Sequence, residues 1–64
     1  MSCYEIRLHG PDGEYSASCF SVHASDRTAL ISARQLLNER LPSAGIWHDG
    51  RRVGVVYRAA PIAA

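Results

Sequence analysis

Residues Ser25 to Leu41, SDRTALISARQLLNERL, decide the fold. At 100° per residue, Ala29, Leu30, Ala33, Leu36, Leu37 and Leu41 fall in one stripe about 140° wide, the mark of an amphipathic helix. Thr28, Ser32, Gln35, Asn38 and Glu39 fill the opposite side. Ser25 is the expected N-cap, because its hydroxyl can accept an orphan backbone N–H. Asp26 follows in the first turn, where the helix dipole favours a carboxylate, and Arg40 falls in the last turn, where the sign is reversed. Pro42 ends the helix, since it lacks an N–H and restricts Leu41. Ile31 points away from the stripe, among Arg27, Arg34 and Asn38. A lone exposed apolar residue of this kind is ordinary.

Outward from the helix, both flanks read as hairpins. Cys3 to His9 alternates strictly, with Tyr4, Ile6 and Leu8 on one face and Cys3, Glu5, Arg7 and His9 on the other. Gly10-Pro11-Asp12-Gly13 is a turn, expected as a three-residue loop with a glycine bulge. That register places Leu8 opposite Ser16, Ile6 opposite Ser18 and Tyr4 opposite Phe20. Glu14 to Val22 is the second strand. Phe20 and Val22, the larger apolar pair, are expected inside, and Tyr15, Ala17 and Cys19 outside. A two-residue Asp12-Gly13 turn would exchange those sets, because a one-residue slip turns every side chain over. A bulge near Cys19 would put both sets partly inside.

After Ser43-Ala44-Gly45, the runs Ile46 to His48 and Arg51 to Arg58 flank Asp49-Gly50, the strongest short hairpin signal. A two-residue turn pairs Trp47 with Arg52 and Ile46 with Val53. Ile46, Val53, Val55 and Tyr57 then face the helix, and Trp47, Arg52, Val56 and Arg58 face away. Gly54 marks a close backbone approach or a twist point. The resulting fold is α+β, in the order β-β-α-β-β. One helix packs on one face of a single four-stranded, mainly antiparallel sheet. A right-handed crossover favours strand order 2-1-3-4, with 1-2-4-3 as the alternative. The domain covers residues 1–58, and residues 59–64 are expected to be a frayed tail. The expected core is Tyr4, Ile6, Leu8, Phe20, Leu30, Ala33, Leu37, Ile46, Val53 and Val55.

The stretches RTALISARQLL and IWHDGRRVGVV resemble a family of short alphaproteobacterial proteins of unknown function. That family combines a hairpin, an alanine-rich helix and a C-terminal strand pair with a tryptophan, a Gly/Asp turn and paired arginines. The resemblance implies the β-β-α-β-β fold and carries no activity or site residue. The serines of the second strand and the GPDG turn depart from the family pattern.

Composition bounds the function. The chain has 64 residues, and a domain this small is marginal alone, which favours a homodimer. Its formal net charge is +1, far from the basic excess of a dedicated polyanion binder. All seven basic residues are arginine, a bias that reflects genome composition more than function. No apolar stretch at the N-terminus suggests a signal peptide, and none approaches membrane-spanning length. Cys3 and Cys19 make no disulfide framework, so a cytoplasmic protein with reduced thiols is expected.

No cofactor, metal or enzymatic site is expected. A zinc centre needs three or four converging ligands, and Cys3, Cys19, His9, His23 and His48 lack that spacing. No serine or cysteine lies in a pattern that pairs it with a base and an acid. The surface left for function is the sheet face away from the helix, with Arg7, Tyr15, Trp47, Arg52, Val56 and Arg58 as the expected partner-binding residues. His9, Ala17, Glu5 and Cys19 share that face. Arginine beside tryptophan and tyrosine suits a protein interface, with a second copy or another protein as partner. The alternative is a weak single-stranded nucleic-acid platform, on which bases stack and guanidinium groups meet phosphates.

Overall fold

The computed structural model describes residues 1–58. The elements are β1 (Ser2–His9), β2 (Tyr15–His23), α1 (Asp26–Gln35), β3 (Ser43–His48) and β4 (Arg51–Tyr57). They form one antiparallel sheet of order β2-β1-β3-β4 with α1 on one face. Strand order 2-1-3-4 therefore holds, and 1-2-4-3 does not. The tail expected over 59–64 lies outside the described residues.

The core is small. Tyr4, Ile6, Ala29, Ala33, Ala44 and Ile46 are buried, with Leu8, Cys19, Leu30, Leu37, Val53 and Val56 packed against them. Ile6 of β1 sits opposite Ile46 of β3 at the centre of the sheet. Alanines on both layers bring helix and sheet close. At Gly54 the Leu30 side chain packs into the space a side chain would take: an added Cβ would lie 3.2 Å from Leu30 Cδ2.

Ser25 caps α1 as expected. Its hydroxyl accepts the Thr28 backbone N–H at 3.3 Å, and Thr28 Oγ1 accepts the Ser25 N–H at 3.2 Å. This reciprocal capping box satisfies two otherwise orphaned donors, with threonine in the place usually held by glutamate. The helix ends at Gln35, earlier than the apolar stripe suggests. Asn38 is the cause. Its side-chain Oδ1 accepts the N–H groups of Arg40 at 2.8 Å and Leu41 at 3.0 Å, so the chain turns locally instead of continuing the helix. Leu36 is thereby left exposed and Leu41 half-buried outside the helix, and Arg34 takes the last-turn position expected for Arg40.

The start of α1 is tied to the sheet through Asp26. The buried Tyr4 donates its hydroxyl to Asp26 Oδ1 at 2.7 Å, and Arg51 reaches the other carboxylate oxygen at 3.9 Å. The hydrogen bond to Asp26, aided by burial and by the carboxylate charge, raises the Tyr4 pKa above the ordinary phenol value, with Arg51 opposing. The His48 ring lies over Tyr4 at 4.8 Å and the His23 ring at 5.8 Å. Ser21 Oγ and His23 Nε2 are 2.7 Å apart.

Both hairpins share one irregularity. The GPDG loop closes as expected: Gly10 N–H donates to the Glu14 carbonyl at 2.8 Å, Gly13 has φ 84°, and His9 pairs with Tyr15. The next pair is Leu8 with Ala17, so Ser16 is an extra residue in β2. Asp49-Gly50 likewise forms the two-residue turn, with φ of 51° and 75°, and Trp47 pairs with Arg52. The next pair is Ile46 with Gly54, so Val53 is an extra residue in β4. Each bulge lies on an outer strand one or two pairs from its turn, the setting in which bulges are commonest.

Each bulge turns over everything beyond it. In β2, Cys19 faces the helix opposite Ile6, and Phe20 and Val22 face outward, 70% and 57% exposed. In β4, Val56 faces the helix opposite the buried Ala44, while Val55 and Tyr57 face outward. The expected core therefore loses Phe20 and Val55 and gains Ala29, Ala44, Cys19 and Val56.

Candidate interface on the open sheet face

The sheet face away from α1 is built by β1 residues of one parity and by the outer strands beyond their bulges. β1 contributes Cys3, Glu5, Arg7 and His9. Opposite them, β2 supplies Val22, Phe20, Ser18 and Tyr15. On the other flank, β3 supplies Trp47, Gly45 and Ser43. β4 then adds Arg52, Val55 and Tyr57. Tyr15, Phe20, Val22, Val55 and Tyr57 are among the exposed large apolar side chains of the described residues.

One arrangement orders the middle of this face. Arg7 projects from β1 and lies over the Trp47 ring, its guanidinium carbon 4.6 Å from the ring centroid. The same guanidinium donates to Glu5 Oε1 at 3.1 Å. That hydrogen bond holds the Arg7 pKa above the ordinary guanidinium value, against the smaller opposing effect of burial. Gly45, directly opposite Arg7, keeps the floor low; a Cβ there would lie 3.5 Å from Trp47 Nε1. A shallow groove runs beside the pair, with Phe20 and Cys3 on one side and Trp47 on the other. A second lies toward the GPDG turn between Arg7, His9 and Tyr15, whose aromatic rings meet edge-on at 6.2 Å.

Of the six residues expected from sequence, Arg7, Tyr15, Trp47 and Arg52 stand on this face, and Val56 and Arg58 do not. Val56 packs against the core. Arg58 follows it after β4, donates its backbone N–H to the Pro42 carbonyl at 2.7 Å, and has its guanidinium 3.9 Å from Glu39. Both were misplaced by the Val53 bulge. The cation over Trp47 is Arg7 from β1. Ala17 and Cys19, also expected here, face the helix side. Phe20, Val22, Val55 and Tyr57 were expected inside; the exchange of Phe20 and Val22 with Tyr15, Ala17 and Cys19 was the alternative for β2, and the bulge at Ser16 brings it about for all but Tyr15.

The face is thus more apolar and less basic than the sequence suggests. Arg7 is engaged by Glu5 and Trp47. Arg52 is the further arginine on it.

No protein-family model matches the chain, and no solved structure matches it. Among curated proteins, 47 residues are 38% identical to part of the exodeoxyribonuclease 7 large subunit of Sulfurimonas denitrificans. The matched stretch is 73% of this chain but 11% of that protein, so the chain spans about a tenth of the length of the curated relative it resembles.

Proposed function

We propose that this domain is a cytoplasmic, non-enzymatic interaction module that self-associates through the open face of its sheet. The observation that carries this reading is the set of large apolar side chains exposed on both flanks of that face, Phe20 and Val22 on β2 and Val55 and Tyr57 on β4, with Trp47 between them. Large apolar side chains exposed together with polar neighbours are the usual mark of a protein-interaction surface. Trp, Tyr and Arg are also the residues most often found as interface anchors.

A second reading is single-stranded nucleic-acid binding, favoured by the Arg7–Trp47 stack and by the partial likeness to a subunit named as a DNA exonuclease. Charge argues against it. Arg58 faces elsewhere and Arg7 is neutralised by Glu5, which leaves few groups for phosphates.

Sedimentation across protein concentration and salt separates the readings. Apolar self-association holds or strengthens as salt rises, whereas phosphate binding weakens steeply. Trp47→Ala is expected to leave the domain folded and to abolish self-association. A wild-type chain that stays monomeric at high micromolar concentration overturns the proposal.

A further inference from the structure

The two outer strands differ in how they guard their free edges. An outer strand presents a row of unpaired N–H and C=O groups, and monomeric proteins blunt it with charge, proline, glycine or a bulge. β4 is guarded in this way: Arg51 and Arg52 open it, Val53 bulges, and the regular stretch that remains is Gly54 to Tyr57. β2 is not. After its bulge at Ser16 it runs in unbroken register from Ala17 to His23, with the sequence ASCFSVH. That run has no proline, no glycine and no Asp, Glu, Lys or Arg. Ala17, Ser18, Phe20 and Val22 of the run are exposed, and among the described residues no strand pairs with its outer edge.

We infer that two copies of the chain join along β2, antiparallel, to make one continuous eight-stranded sheet. This rests on the self-association reading above but moves the contact to the β2 edge, where Phe20 and Val22 take part and Trp47, two strands away, does not; if the seam holds, Trp47→Ala leaves the dimer intact. The midpoint of the regular run is Phe20. A two-fold axis there sets the Phe20 rings of both copies against each other on the open face, and Ser18 of each against Val22 of the other. Aromatic pairs of this kind stabilise neighbouring strands, and no like charges meet across the seam. The same contact covers the free backbone groups of the run and its two exposed large apolar side chains, Phe20 and Val22, together. A second copy fits better than a foreign strand because the run is complementary to itself. The assembly also closes, since an isologous contact uses up the β2 edges and leaves only the guarded β4 edges outside.

Hydrogen exchange as a function of concentration tests the seam. In the run Ala17 to His23, every second amide points away from β1. Those amides are expected to slow by roughly tenfold or more between dilute and concentrated protein, in step with dimer formation seen by sedimentation. The Gly54–Tyr57 amides should not change. Phe20→Lys, at an exposed position, should keep the melting transition and lose both the dimer and the added β2 protection. Self-association with no change at the β2 amides overturns the seam and leaves the open-face reading standing. Equal protection of β4, or growth beyond a dimer along the edges, also overturns it. A strictly monomeric chain overturns both.

Discussion

The two faces of this sheet fill their space differently. Between sheet and helix the contact is made largely by small residues, Ala29 and Ala33 on α1 and Ala44 and Gly54 on the strands, with Tyr4, Ile6 and Ile46 buried among them. On the open face stand Phe20, Trp47, Tyr57 and Tyr15, with Val22 and Val55. A short helix can seal a four-stranded sheet only by coming close, and small residues allow that approach. Phe20, Val22, Val55 and Tyr57 would prop the helix away, and the bulges at Ser16 and Val53 send these to the other side. The difference teaches that bulk apolar content does not identify the core in a domain of this size.

The strongest way to break this comparison is at the covered face. Ile46→Ala is expected to cost about 2–5 kcal/mol by chemical denaturation, since Ile46 is fully buried and few neighbours can collapse into the space. A smaller loss is expected at the helix start, where Ser25→Ala removes the reciprocal cap at about 1 kcal/mol. The Tyr4–Asp26 bond adds an effect confined to alkali. A phenol whose pKa is raised by folding contributes stability that is fully present below its unfolded value, near 10. That stability is lost as pH climbs from there through the folded value. Melting temperatures measured up to high pH should therefore fall above that point, and Tyr4→Phe should flatten the fall. The smallest effect on folding belongs to the open face: at a concentration low enough that the wild type is monomeric, Phe20→Ser should stay within about 0.5 kcal/mol of it. A large loss there would show that Phe20 is packed on the helix side and would erase the contrast between the faces.

Much of the architecture was legible because turns carry their own chemistry. Asp49-Gly50 specified the Trp47–Arg52 pair, GPDG specified the closing of the first loop, and Ser25 marked the start of the helix. The bulges were not legible. Neither Ser16 nor Val53 is a residue type that announces an extra position, and each displaced every later side chain by one. Four of the six expected interface residues survived, those on β1, on β3 or close to the turns. Val56 and Arg58 lay beyond a bulge and were lost. The early end of α1 had a visible signal in Asn38, a side chain suited to turns, but the leucines after it continued the helical period and masked it.

The strand order has a kinetic consequence. Within each hairpin the paired strands are neighbours in the chain, so each can zip from its own turn. Only the β1–β3 pairing joins distant parts of the sequence, and it forms together with the docking of α1. Closing that long connection is then the slow step. Residues inserted into the exposed Glu39–Arg40 segment lengthen the loop to be closed and also open the turn held by Asn38. The chain-closure part of the penalty grows slowly, by about 0.6 kcal/mol for each doubling of the loop. That part should appear as slower folding.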